Sequence, residues 1–181
     1  MSGEPPGEDF EAQVARMAVE GRTLPDGPLL ALDVGNKRIG VAASDPLRLL
    51  ARSLTTIERQ STNQAVEEIV GLVRRHAPVA LLVGLPRNMD GSLGAQARSV
   101  LLFARRLEAR IEPPVLVWDE RLSTVGASEI LSAQGVRARE QKGRLDAVAA
   151  AVILQEFMDN ERAEQGDFAL LPPDENTEPG K

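Results

Sequence analysis

Three apolar segments joined by very short turns open the body of this chain, and nothing else in it narrows the possible folds so sharply. Leu29-Leu30-Ala31-Leu32-Asp33-Val34 and Arg38–Ser44 flank a turn containing Gly35, and Leu47–Ile57 follows Asp45-Pro46. Connections this short join antiparallel neighbours, because a parallel return needs a dozen residues or more. After Ile57 the pattern changes. Residues 60–75 carry Val66, Ile69, Val70 and Val73 at helical spacing, and Pro78 stops the run. Val79–Val83 is a continuous buried strand, and Gly84–Gly94 is a loop. Residues 95–110 predict a helix with Val100, Phe103, Ala104 and Leu107 inward, and Val115–Trp118 the last strand. Helices follow at about Thr124–Gln134 and Gly143–Met158, separated by the polar segment Gly135–Lys142. A meander leading into helix–strand–helix–strand–helices predicts an α/β fold, a five-stranded mixed sheet with helices on both faces.

The 181 residues divide into three parts. Residues 1–28 mix Gly, Pro and acids and read as a poorly ordered acidic extension with one short helix at Phe10–Met17; residues 29–158 form the folded domain; residues 159–181 are an acidic tail containing Pro172-Pro173 and Pro179. In that tail Phe168, Leu170 and Leu171 are the residues able to dock on the body. The formal charge of −6 is unevenly spread: the two ends carry −4 and −5, and the span 29–158 carries +3. A basic body with acidic ends is compatible with a phosphate-bearing partner. Cysteine is absent and His76 is the single histidine, so any metal must be held mainly by oxygen, which favours magnesium, manganese or calcium. No apolar run approaches the ~20 residues of a spanning helix, and the first residues show no secretory pattern; the expectation is a cytoplasmic protein without membrane contact.

Acids stand at three informative places. Asp33 ends an apolar strand and opens Asp33-Val34-Gly35-Asn36-Lys37-Arg38-Ile39-Gly40. Asp119-Glu120 follows Val115–Trp118 and opens Arg121-Leu122-Ser123-Thr124. Asp146 lies among small apolar residues, where a bare carboxylate costs several kcal/mol unless paired or metal-bound. Consecutive strand side chains point to opposite faces, so one of Asp119 and Glu120 faces a metal; the sequence leaves open which. Lys37, Arg38, Arg121 and Arg144 are candidate phosphate contacts, and Asn88 belongs to the unusual loop Gly84-Leu85-Pro86-Arg87-Asn88-Met89-Asp90-Gly91. Ser123 and Thr124 are candidate substrate contacts or helix caps. Arg137, Arg139 and Lys142 make Gly135–Lys142 a candidate segment for closing over a phosphate backbone. Acid at two strand ends and on a final helix is the order of a magnesium-dependent nuclease.

Taken together, Asp33-x-Gly35 with Lys37–Ala42, Val83–Pro86 with Asn88–Gly91, Asp119–Thr124, and Lys142 with Asp146 resemble the YqgF/RuvX family. The resemblance spans roughly residues 29–158. It implies an RNase H-like fold related to the resolvase RuvC, and nucleolytic maturation of the 5′ end of pre-16S ribosomal RNA, in some members junction resolution. It implies that Asp33, Asp119 or Glu120, and Asp146 hold Mg2+ or Mn2+, two ions with substrate bound. Partners would be pre-rRNA or branched DNA and ribosomal precursor particles, with the chain a monomer or homodimer. RuvC-type sites add an acid three residues from the last one, where this chain has Gly143 and Ala149. Two other readings are a non-catalytic RNA-binding module and, from Asp33-x-Gly35 with Gly40, an actin-like ATPase; the latter binds nucleotide between two domains, and the chain supplies one.

Overall fold

The computed structural model describes residues 9–19, 22–119 and 144–164. The elements run α1 (Phe10–Met17), β1 (Leu29–Val34), β2 (Arg38–Ser44), β3 (Ala51–Glu58), α2 (Thr62–His76), β4 (Ala80–Leu85), α3 (Ala95–Glu108), β5 (Val115–Asp119) and α4 (Arg144–Glu164). The five strands form one sheet in the order β3-β2-β1-β4-β5. β1–β2 and β2–β3 pair antiparallel, while β1–β4 and β4–β5 pair parallel, as short turns and long crossovers require.

Both faces of the sheet are covered, so β1 and β4 are apolar at nearly every position rather than alternately. Leu30, Leu32, Val34, Leu81, Val83, Leu85, Val115 and Val117 pack on one face against α2 and α3. Leu29, Ala31, Leu82, Leu116 and Trp118 pack on the other against Ala150, Ala151, Leu154 and Phe157 of α4. The rings of Trp118 and Phe157 meet edge to face at 5.5 Å. In α2 the buried stripe Ala65, Val66, Ile69, Val70 and Val73 contains all four residues expected from the periodicity. A capping box between Ser61 and Gln64 starts that helix, and Ala77 in the left-handed region ends it before Pro78.

Several boundaries differ from the sequence reading. β3 starts at Ala51, because Asp45 turns residues 46–50 into a loop: its carboxylate accepts hydrogen bonds from the N–H groups of Leu47, Leu49 and Leu50 at 3.0, 2.8 and 2.7 Å. β4 runs on to Leu85 instead of stopping at Val83, since Gly84 and Leu85 pair with Trp118 and Asp119. α4 continues to Glu164, past the expected end at Met158.

The expectation that residues 1–28 are a poorly ordered extension fails for residues 9–19. Helix α1 sits where the sequence placed it, but it is part of the folded body. Met17 is buried in the core, and the Gln13 amide donates to the Leu101 carbonyl at 2.9 Å. Ala18 makes an isolated parallel bridge to Val117, covering part of the β5 edge. Arg16 grips Glu108 through both terminal guanidinium nitrogens, at 2.6 and 2.9 Å. Deleting residues 1–28 would therefore remove part of the core as well as negative charge.

The Arg16 hydrogen bond, with burial opposing it, holds the Glu108 carboxyl below the usual carboxylate range. A depressed folded-state pKa gives stability that is present above the ordinary glutamate range and lost as pH falls through the lower value. Both side chains are half exposed, so Arg16→Ala should cost less than about 1 kcal/mol near neutrality. Urea titrations at neutral and strongly acid pH check this: the difference between the two proteins should shrink in acid.

Candidate functional site

Asp33 is the penultimate residue of β1, and strand alternation puts it on the face of Leu29 and Ala31, towards α4. Its antiparallel partner on β2 is Gly40. That glycine leaves room for α4: a Cβ there would lie 1.7 Å from the Asp146 carbonyl oxygen and 2.7 Å from the Ala147 nitrogen. The first turn of α4 thus rests directly on the β2 backbone across from Asp33, and Asp146 is delivered to it. A glycine inside an otherwise apolar strand is the sequence signal for such an approach.

The two carboxylates feel one another. Burial, and after it the charge of Asp146, pushes the Asp33 carboxyl above the usual aspartate range. Arg38, on the same β2 face as Gly40, donates from Nε to Asp146 Oδ2 at 2.7 Å. Asp146 is thereby oriented and partly neutralised, while Asp33 keeps its unfavourable surroundings. Lys37 is exposed at the tip of the β1–β2 hairpin, next to this cluster.

Asp119 is placed differently. It ends β5 opposite Leu85, and both Leu85 and Val117 belong to the face packed against α2 and α3. Its carboxylate meets Arg87 Nε at 3.5 Å. The structure therefore brings Asp33 and Asp146 together and sends Asp119 to the opposite face. Arg87, a residue to which the sequence reading gave no role, also donates to the Gly91 carbonyl at 2.8 Å and approaches Glu11 at 3.5 Å. Nothing in the local sequence around Arg87 signals this, because its partners come from α1, β5 and its own loop.

Asn88 is exposed and shapes its loop: its amide donates to Ser92 Oγ at 2.9 Å and its N–H to the Ser92 carbonyl at 3.1 Å. Asp90 fastens the same turn by accepting from the Ser92 N–H and hydroxyl at 2.9 and 2.6 Å. Glu120, Arg121, Ser123, Thr124, Arg137, Arg139 and Lys142 lie outside the described residues, as does the side chain of Arg144. Among the described residues no group of three or more Asp, Glu, His or Cys is placed to hold a metal ion. Among those residues, too, no helix is long and apolar enough to cross a membrane.

Two solved structures superpose on most of this chain. Thermus thermophilus RuvC in complex with a Holliday junction substrate superposes with a TM-score of 0.53 at 14% identity, covering 77% of this chain and 96% of that one. The yeast mitochondrial Holliday junction resolvase Ydc2 gives 0.51 at 14% identity, covering 90% and 92%. The fold is RNase H-like, of the RuvC kind. At the level of sequence, a protein of Crocosphaera subtropica named provisionally as a pre-16S rRNA nuclease is 47% identical over 134 residues, 74% of this chain and 94% of that relative. One of Moorella thermoacetica with the same provisional name is 47% identical over 131 residues, covering 72% and 94%. The model of the family described as RuvX, Holliday junction resolvase, matches residues 27–160, from just before β1 to near the end of α4. Descent follows from a match over that much of the domain: the chain belongs to the RuvX family.

Proposed function

We propose that this protein is a divalent-metal-dependent nuclease, hydrolysing phosphodiester bonds of ribosomal RNA precursors or branched DNA in the cytoplasm. The observation that carries the reading is the meeting of Asp33 and Asp146 across Gly40. The two acids share a half-buried place, where burial, and after it the charge of Asp146, disfavours the charged form of Asp33. A hard cation relieves that repulsion, and an all-oxygen donor set suits magnesium or manganese. Asp33 and Asp146 would hold the metal. Glu120 is proposed as the third carboxylate in preference to Asp119, because Asp119 is engaged by Arg87 on the other face. When bound, divalent metal activates the attacking water and stabilises the leaving oxygen.

The chain's own residues supply the rest. Arg38 fixes the orientation of the Asp146 carboxylate through Nε, and its terminal nitrogens would meet a substrate phosphate. Lys37 adds a mobile positive charge beside the acids. Asp33 must give up its proton to act as a ligand. Its raised pKa therefore means that acidification removes activity earlier than it would for an ordinary aspartate.

The test is cleavage of three labelled substrates: a pre-16S 5′ fragment, single-stranded RNA and a four-way DNA junction. Each is incubated with magnesium, with manganese and with chelator. Metal-dependent cleavage of any one is expected. Glu120→Gln should abolish it, and Asp119→Asn should leave most of it. The reverse ranking would move the third ligand to Asp119, and binding without cleavage under every condition would leave a non-catalytic nucleic-acid-binding module.

A further inference from the structure

Two arginines at the site end of the sheet are already occupied, by neighbouring residues of α1. Arg87 follows β4 and sends its three nitrogens to separate partners: Nε to Asp119 at 3.5 Å, Nη1 to the Gly91 carbonyl at 2.8 Å, and Nη2 to Glu11 at 3.5 Å. Arg98, in the first turn of α3, stands 5.7 Å from the centre of the Phe10 ring. The same turn touches the end of β1, because the Gln96 amide donates to the Val34 carbonyl at 3.2 Å. Both arginines thus lie along the carboxyl ends of β1, β4 and β5, where Asp33 also sits. α1 itself falls outside residues 27–160, the span matched by the family.

Phe10 and Glu11 present an aromatic face to one arginine and a carboxylate to the other. Single-stranded nucleic acid addresses arginine with the same two chemistries, the π-face of an unpaired base and a phosphate oxygen. α1 is unevenly held. Its second half is anchored by buried Met17, by the Gln13 bond to Leu101 and by the Arg16–Glu108 pair. The first turn has the Asp9 cap, half-buried Phe10 packed at the edge of the core as well as against Arg98, and an ion pair in which Glu11 is 63% exposed. The first turn can therefore open while the second half stays docked.

We propose that Phe10 and Glu11 are a built-in stand-in for single-stranded nucleic acid, and that an unpaired segment of the substrate displaces them from Arg98 and Arg87. The strand bound at the acids then continues over the sheet end to these arginines, about 10 Å from β1 to β5 at ordinary strand spacing. This rests on the nuclease reading for the identity of the substrate. It concerns a different surface and a different step, grip rather than cleavage.

Fluorescence anisotropy with a labelled unpaired oligonucleotide, RNA in one arm and DNA in the other, tests it in the full chain. Chelator is present, so that nothing is cut. Phe10→Ala/Glu11→Gln should bind about fivefold more tightly than the parent, the worth of one exposed ion pair and one cation–π contact. Adding Arg98→Ala to that variant should remove most of the gain. Glu67→Gln removes the same charge from a pair with Arg110 elsewhere, and should leave affinity unchanged. Equal affinity of parent and double variant overturns the proposal, and so does a gain matched by Glu67→Gln. Cleavage by the parent in magnesium is measured separately, so the nuclease reading can stand if the stand-in falls. Binding by neither protein overturns the proposal whatever the cleavage result.

Discussion

Asp33→Asn should abolish cleavage and at the same time make the protein more stable. Asn keeps the shape of the side chain and loses the charge that attracts a cation. The loss of rate should exceed the roughly 10–100-fold that follows removal of a merely supporting partner around a metal. The gain in stability comes from the same surroundings. Burial and Asp146 raise the folded-state pKa of Asp33, so folding favours its protonated form. That contribution is fully present below the ordinary aspartate range and is lost as pH rises through the elevated value. The variant should therefore melt higher than the parent at neutral pH, and the two should converge on acidification. Magnesium should reverse the order by stabilising only the parent, as a ligand specific to the folded state must. A residue retained merely to shape the turn before Gly35 would instead lose stability and keep activity.

Gly40→Ala is the second large effect expected. The new methyl group would fall 1.7 Å from the Asp146 carbonyl oxygen, and what it meets is helix backbone, which cannot rotate aside as a side chain can. α4 must lift from β2, at a cost of about 3 kcal/mol. Since the residue that moves is Asp146, activity should fall further than stability alone explains. Gly71 separates the two effects. It lies within α2 with open space around it, and Gly71→Ala should add roughly 0.5–1 kcal/mol through helix propensity. In the double variant, part of the lost melting temperature should return while the lost activity should not. Recovery of both together would show that Gly40 matters only for stability.

Much of this architecture is legible in the chain because each covered element carries its own signal. β1 and β2 match the expected residues, since their apolar runs are bounded by Pro28, the Gly35 turn and Asp45-Pro46. α2 is equally plain, with apolar residues at helical spacing and Pro78 beyond its end. Where the reading slips, the deciding partner is distant in sequence. Gly84 and Leu85 look like the start of a loop until β5 pairs with them. α1 looks like an isolated helix in an acidic extension until α3 supplies Leu101 and Glu108. The Asp119-Glu120 ambiguity has the same root. Alternation says that the two side chains part, but only the packing of Leu85 and Val117 tells which face Asp119 takes. Arg87 shows the limit most clearly, because its three partners are spread over α1, β5 and its own loop.

The placement of one acid on the first strand and another on the last helix also bears on synthesis. As the chain is made, the sheet and the helices of one face can assemble while Leu29, Ala31, Leu82, Leu116 and Trp118 still have no helix to cover them. Asp33 is present from early on, but the carboxylate it meets arrives only with α4. A nascent or prematurely ended chain would accordingly be sticky but unable to cut. For a nuclease built this way, completing the chain and arming the site become one event.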